Sequence, residues 1–306
     1  MRVSKLKYKE LLEAVGKYDT AHINTSFSSI PEETDLEQYF DDKIHPESFS
    51  NKSILGMDIF QYSQYELKKQ TLIPFLFKLI QDAVHKNCLE SNSYLFQKYA
   101  DKEKIEKDFI HTGDGGFQIL DTPLHAVTLA VNYELFLRYY NSYHFYPKLR
   151  KAIGPIALRY TISSGTIFQF DNNYFGPGII NCARMLSKDS LNRCLLDQNT
   201  NDWFMHNMMG VENLQFVSID DIATYPQFAL YEKADTEAYE MIFPYKKDFS
   251  FQKIISTDVQ RIGEIKAKNT TLNIYNLHLQ YLGSIKEVKD KPIVVTIGNL
   301  KLSGID

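Results

Sequence analysis

The stretch SILGMDIFQ, Ser53 to Gln61, most constrains the fold. Its apolar residues run on without the alternation of a half-exposed strand, so it reads as a strand covered on both faces, central in its sheet. Inside it sits Asp58. A buried lone carboxylate is costly to ionise unless a cation meets it. The next segment, SQYELKKQTLIPFLFKLIQDAVHKN, places Leu67, Leu72, Phe75, Leu76, Leu79, Ile80 and Val84 at helical spacing, with Ser63 and Glu66 as a capping box and Pro74 as a kink. A strand that hands directly to a helix start offers free backbone N–H groups to an anion.

Downstream, FIHTGDGGFQIL, Phe109 to Leu120, sets the turn Gly113-Asp114-Gly115-Gly116 between two apolar runs and reads as a hairpin. A second amphipathic helix follows in TPLHAVTLAVNYELFLRYYNSY, with Pro123 in its first turn. PIALRYTISSGTIFQFD reads as two strands around a Ser-Gly turn, GPGIINCARMLSK as a third helix, and WFMHN and LQFVSI as short strand-like pieces. The expected fold class is α+β, a sandwich of a mostly antiparallel sheet with packed helices. The division is 1–47 as a helical and irregular extension (Leu6, Leu11, Leu12, Val15), 48–225 as the catalytic-sized core, and 226–306 as a small β-rich carboxy-terminal domain.

A chain of 306 residues, 44% hydrophobic, can bury a sizeable core without disulfides. Cys88, Cys182 and Cys194 are odd in number and form no CxxC, which reads as buried thiols in a reducing compartment with no zinc site. The formal charge of −4 argues against a broad basic surface for nucleic acid. The amino terminus lacks a signal-peptide core, and no apolar run approaches the roughly 20 residues that cross a bilayer. A soluble, cytoplasmic protein without membrane contact is expected.

If the hairpin pairs beside the first strand, Asp58 and Asp114 converge as oxygen ligands that can hold Mg²⁺ or Mn²⁺ next to substrate phosphates. An Asp-Gly turn alone is a routine hairpin signal; the second carboxylate in an apolar strand gives it weight. Of the remaining residues, His111 reads as a flank position and His125 as structural, and the Met-rich WFMHNMMG reads as core or interface. The Lys-rich turns at 245–247 and 266–268 read as solvated.

MDIFQYS, Met57 to Ser63, resembles the DIxGF(S/T) segment of class III nucleotide cyclases; HTGDGGFQIL resembles their GD hairpin, and NNYFGPGIINCARM their third motif with its catalytic arginine. The motifs occur in the family's order over roughly residues 50 to 220. The resemblance implies that Asp58 and Asp114, with the Ile59 carbonyl, hold two divalent metal ions, and that Arg184 stabilises charge on the α-phosphate. It implies cyclisation of a nucleoside triphosphate, and a homodimer in which metals and arginine come from different chains.

Departures accompany it. Ile180 stands where the family has a ribose-orienting Asn, with Asn181 one residue late, a rotation of about 100° on a helix. At the base-reading positions Ile110 and Asn173 replace the residues that recognise purines, which implies a changed base. With the β-rich tail, these changes resemble the pyrimidine cyclases of anti-phage Pycsar systems, whose cyclic UMP or cyclic CMP activates a separate effector. Tyr62, Tyr174 and Phe175 are placed to fill the gap a pyrimidine leaves, and the Asn173 amide suits uracil and cytosine alike. An adenylate or guanylate cyclase with unusual base contacts, and a catalytically silent nucleotide-binding or sensing module, are the alternatives.

Overall fold

A computed structural model describes residues 49–99, 102–170, 173–231, 253–266, 270–285 and 292–305. The expectations for residues 1–47, and the Lys turn at 245–247, lie outside the described residues. Strand β1 (Phe49–Ile59) is central as expected, flanked by β3 (Gly115–Leu120) and β4 (Leu158–Phe170), both antiparallel to it. The remaining strands are β2 (Phe109–His111), β5 (Asn173–Phe175), β6 (Cys194–Asp197), β7 (Lys253–Lys266), β8 (Thr271–Gly283) and β9 (Ile293–Ile297). They run in the order β2-β3-β1-β4-β6-β8-β7, with β5 paired to β4 and β9 to β8. Among the described residues only the β4–β6 pairing is parallel, so the sheet is mostly antiparallel and the fold is α+β.

The side chains of β1 divide between two layers. Leu55, Met57 and Ile59 pack into the large core with helices α1 (Leu67–Ser91) and α3 (Pro123–Asn141). A short helix, α2 (Lys102–Lys107), precedes the hairpin, and α4 (Pro147–Ile153) follows α3. Ile54 and Gly56 meet helix α5 (Pro177–Lys188) on the opposite face. A Cβ on Gly56 would sit 2.6 Å from both Cys182 Sγ and Thr161 Oγ1, so glycine is what lets α5 lie against the strand.

Several local expectations are corrected. Tyr62–Gln64 form a 3₁₀ turn, and α1 begins at Leu67 without a side-chain cap, so Ser63 and Glu66 make no capping box. Ser164 and Gly165 are no turn: β4 is one strand through both. Ser163 Oγ donates to Asp197 Oδ2 at 2.6 Å, the Ser164 N–H donates to the same carboxylate, and Gly165 lies where α5 approaches at Gly178. WFMHN falls in helix α6 (Gln198–Met208), because the Asp197 carboxylate caps it by accepting from Thr200 N at 2.8 Å. LQFVSI gives a 3₁₀ turn, and then α7 (Ile219–Thr224) starts with a Ser218–Asp221 capping box.

Of the alternating strands expected after residue 226, β7, β8 and β9 form, and residues 232–252 lie outside the described residues. The three strands are hydrogen-bonded through β8 to β6 and extend the main sheet rather than building a sheet of their own, because Leu277 and Leu279 on β8 are buried in the large core. All the described residues fall in one compact unit, Phe49–Asp306.

Candidate active site

Register brings the two aspartates together. Asp58 lies opposite Gly115 on β3, and the Ile59 N–H donates to the Asp114 carbonyl at 3.0 Å, so the hairpin tip is fastened to the end of β1. Gly113 turns the tip with φ +102°, a conformation that favours glycine. A Cβ on Gly115 would collide with the Met57 carbonyl.

On its other side Asp58 faces Arg159 of β4. Arg159 Nε donates to Asp58 Oδ1 at 2.6 Å and Nη2 to Oδ2 at 2.7 Å, a bidentate pair of the strong, geometry-specific kind. Arg159 Nη1 donates to the Asp189 carbonyl, just past the end of α5. The Asp114 carboxyl is raised above its ordinary range by burial, with the negative Asp58 adding to the rise and Arg159 opposing it. The guanidinium is held more basic, chiefly by its hydrogen bonds to Asp58.

Arg159 is the site residue that sequence reasoning missed. Its signal was an arginine between Leu158 and Tyr160 in a buried strand pattern, a cation that must find a carboxylate.

Two carboxylates against one guanidinium leave net negative charge, and the strained ionisation of Asp114 marks a place that favours a further cation. Each Asp58 oxygen retains a lone pair after its bond to Arg159. Hard cations also take water and phosphate oxygens, so this donor set fits Mg²⁺ or Mn²⁺. Among the described residues no group of three or more His, Cys, Asp or Glu gathers to hold a metal, here or elsewhere, so these two carboxylates would rely on water and phosphate oxygens for the rest of the coordination.

Helix α5 buries Gly178, Cys182, Met185 and Leu186. Asn181 and Arg184, three residues apart and so neighbours on one side of the helix, are half-buried, and among the described residues Arg184 makes no ion pair. Ile180, in the ribose-orienting position, is 49% exposed.

The expected base-reading residues separate. Ile110 lies on the α5 side of the sheet in a small cluster with Ile54, Ile119 and Ile167, and Tyr174 packs against the same cluster. Asn173, adjacent and exposed, accepts the Tyr174 N–H on Oδ1 at 2.9 Å. Tyr62 packs instead against the large core and donates its hydroxyl to the Gln70 carbonyl at 2.9 Å, so it does not join Ile110. Phe175 is 44% exposed against Phe168.

His111 is exposed and rests on the Phe109 ring. His125 is wholly buried, meets the Leu95 carbonyl at 2.7 Å, and is held down to about 4 chiefly by burial, a structural histidine. The three cysteines are buried and free. No helix among the described residues is long and apolar enough to cross a membrane.

No protein-family model and no curated protein matches the sequence. Solved structures do. One is an adenylate/guanylate cyclase/hydrolase from Silicibacter pomeroyi (14% identity, 75% of this chain and 96% of that one, TM-score 0.40). Another is the adenylyl cyclase CyaB from P. aeruginosa (12%, 78% and 98%, TM-score 0.40). A third is the catalytic core of a rhodopsin-guanylyl cyclase with converted specificity (13%, 74% and 96%, TM-score 0.41). Overlaps this loose leave the function to be argued from the side chains.

Proposed function

We propose that the chain is a metal-dependent nucleotidyl cyclase that turns a pyrimidine nucleoside triphosphate, UTP or CTP, into its 3′,5′-cyclic monophosphate and pyrophosphate. The observation that carries this reading is the meeting of Asp58 and Asp114 beside Arg159, on the sheet face that α5 covers. In this reading Asp58, Asp114 and the Ile59 carbonyl hold two divalent ions, which when bound acidify the ribose 3′-hydroxyl and neutralise phosphate charge. The 3′-oxygen bonds to the α-phosphorus, the α–β phosphoanhydride bond breaks, and the hydroxyl proton passes to solvent.

The protein's own groups position and neutralise. Arg159 offers its guanidinium to the departing phosphates, Arg184 meets the α-phosphate, and Asn181 orients the ribose. Ile110 and Asn173 border the base, and Tyr62, apart from them within one chain, approaches it from the other copy. Following the sequence resemblance, we assign Arg184 to the site of a second copy, in a homodimer with two shared sites. The sequence resemblance extends the reading to a cyclic-nucleotide signal read by a separate effector.

The test is incubation with ATP, GTP, CTP and UTP in Mn²⁺, with products identified by mass. Cyclic UMP or cyclic CMP is expected. Cyclic product from ATP or GTP alone would move the chain to the purine cyclases. A different observation favours the silent nucleotide-binding module: Arg159 already occupies both Asp58 oxygens. No cyclic product from any triphosphate would select that module.

A further inference from the structure

We infer that Tyr174, locked in place by Asp108, is the wall that keeps purines out of the base subsite, with Asp108 as its positioning residue; the inference rests on the cyclase reading above. Tyr174 lies on the cluster that contains Ile110, together with Phe117 and Ile179. Its backbone is fixed where it pairs with Gln169 of β4, and its N–H is held by the Asn173 side chain. Its hydroxyl donates to Asp108 Oδ1. The ring is therefore tethered at both ends.

Asp108 is itself immobilised. Its carbonyl accepts from Ile119 N at 2.8 Å and from Gln118 Nε2 at 3.0 Å, which ties it to β3. Its carboxyl is raised by burial, a rise opposed by the hydrogen bond from Tyr174 and by the charges of Lys52 and Lys104. The Tyr174 phenol is pushed up by burial and then by Asp108, so at neutral pH it remains a donor.

An apolar wall that can swing aside discriminates weakly, whereas a tethered ring leaves no room for the second ring of a purine. With Asn173 Oδ1 engaged on the Tyr174 N–H, the NH₂ of that amide is the group left to face a base carbonyl. That also suits a pyrimidine, each of which carries O2.

The experiment compares Tyr174→Phe, Tyr174→Val, Asp108→Ala and Asp108→Asn with the wild type. Two readouts are taken for each: kcat/KM with all four triphosphates in Mn²⁺, and calorimetric binding of their α,β-methylene analogues, which cannot release pyrophosphate. Melting curves confirm that each variant folds. Tyr174→Phe and Asp108→Ala are expected to raise the ATP:UTP ratio about tenfold, Tyr174→Val further, and Asp108→Asn, which keeps an acceptor, to stay near the wild-type ratio. Ratios within about twofold of wild type in all folded variants would overturn the inference, as would a wild type that binds purines as well as pyrimidines. Pyrimidine-selective binding lost in these variants, in a protein that makes no cyclic product, would sink the cyclase reading and leave the wall standing.

Discussion

Arg159 and the two aspartates set opposing demands. Replacing Arg159 by Gln should lower turnover by about 10²-fold, the scale of losing one preorganised charge-stabilising donor. The same change should tighten Mn²⁺ binding, measured by the loss of the free-ion paramagnetic resonance signal, because Asp58 would no longer share its oxygens with a guanidinium. Asp114 titrates above its unfolded value of 3.8. The folded chain thus binds more protons than the unfolded chain in the window above 3.8, and stability falls as pH rises through it. Asp114→Asn should therefore raise the metal-free melting temperature at neutral pH and abolish any stabilisation by Mn²⁺, both read by thermal unfolding.

Glu134, bonded to the Tyr160 hydroxyl at 2.9 Å, is raised from 4.5 to about 7, chiefly by burial. Its ionisation costs stability progressively from about pH 4.5 to 7 and no further above that. Glu134→Gln should flatten the stability profile across that window in denaturant titrations. Asp58 and Asp114 were legible as a pair in the sequence because both interrupt apolar runs. The Arg159 clasp and the Asp108–Tyr174 contact were not, since each joins residues whose nearness depends on strand register.

Among the elements, α5 is the one whose seat decides the geometry of Asn181 and Arg184. Two glycines make that seat: Gly56, and Gly178, where a Cβ would lie 2.7 Å from Ile54 Cδ1. Gly56→Ala should cost about 1–3 kcal/mol by overpacking. If α5 shifts to relieve the clash, kcat should fall further than that loss of stability explains, which a comparison of activity with denaturant midpoint would reveal. Helix α5 was legible in the sequence from the stretch GPGIINCARMLSK, as were β1, the hairpin and α3 from theirs. Ser164-Gly165 misled as a turn because the close approach of α5 to a flat strand and the tip of a hairpin both call for a small residue. WFMHN misled because its aromatic and Met content suits a strand, while the residue that starts the helix, Asp197, stands six positions earlier.

For the whole molecule, the shared-site arrangement makes a quantitative claim. Mixing inactive Asp58→Ala and Arg184→Ala proteins should restore about a quarter of wild-type activity, since half the dimers would be mixed and each would hold one intact site. Mixtures as inactive as their components would show that Arg184 serves its own chain. The alternating carboxy-terminal strands were legible as strands but not as part of the main sheet, because sequence reports alternation and not the identity of a partner; the strand they pair with there, among the described residues, is β6, four residues long.

The grip of Asp197 on Ser163 and Ser164 has a reach beyond its own neighbourhood. Sliding β4 by one position would turn every side chain to the other face, sending Arg159 into the layer of α1 and α3 and leaving Asp58 with no counter-charge. The same slide would tear both serines from their shared acceptor. Two hydroxyl-bearing residues in mid-strand therefore act as an alignment key, and the chain proofreads the assembly of its acidic centre at a point that takes no part in the chemistry.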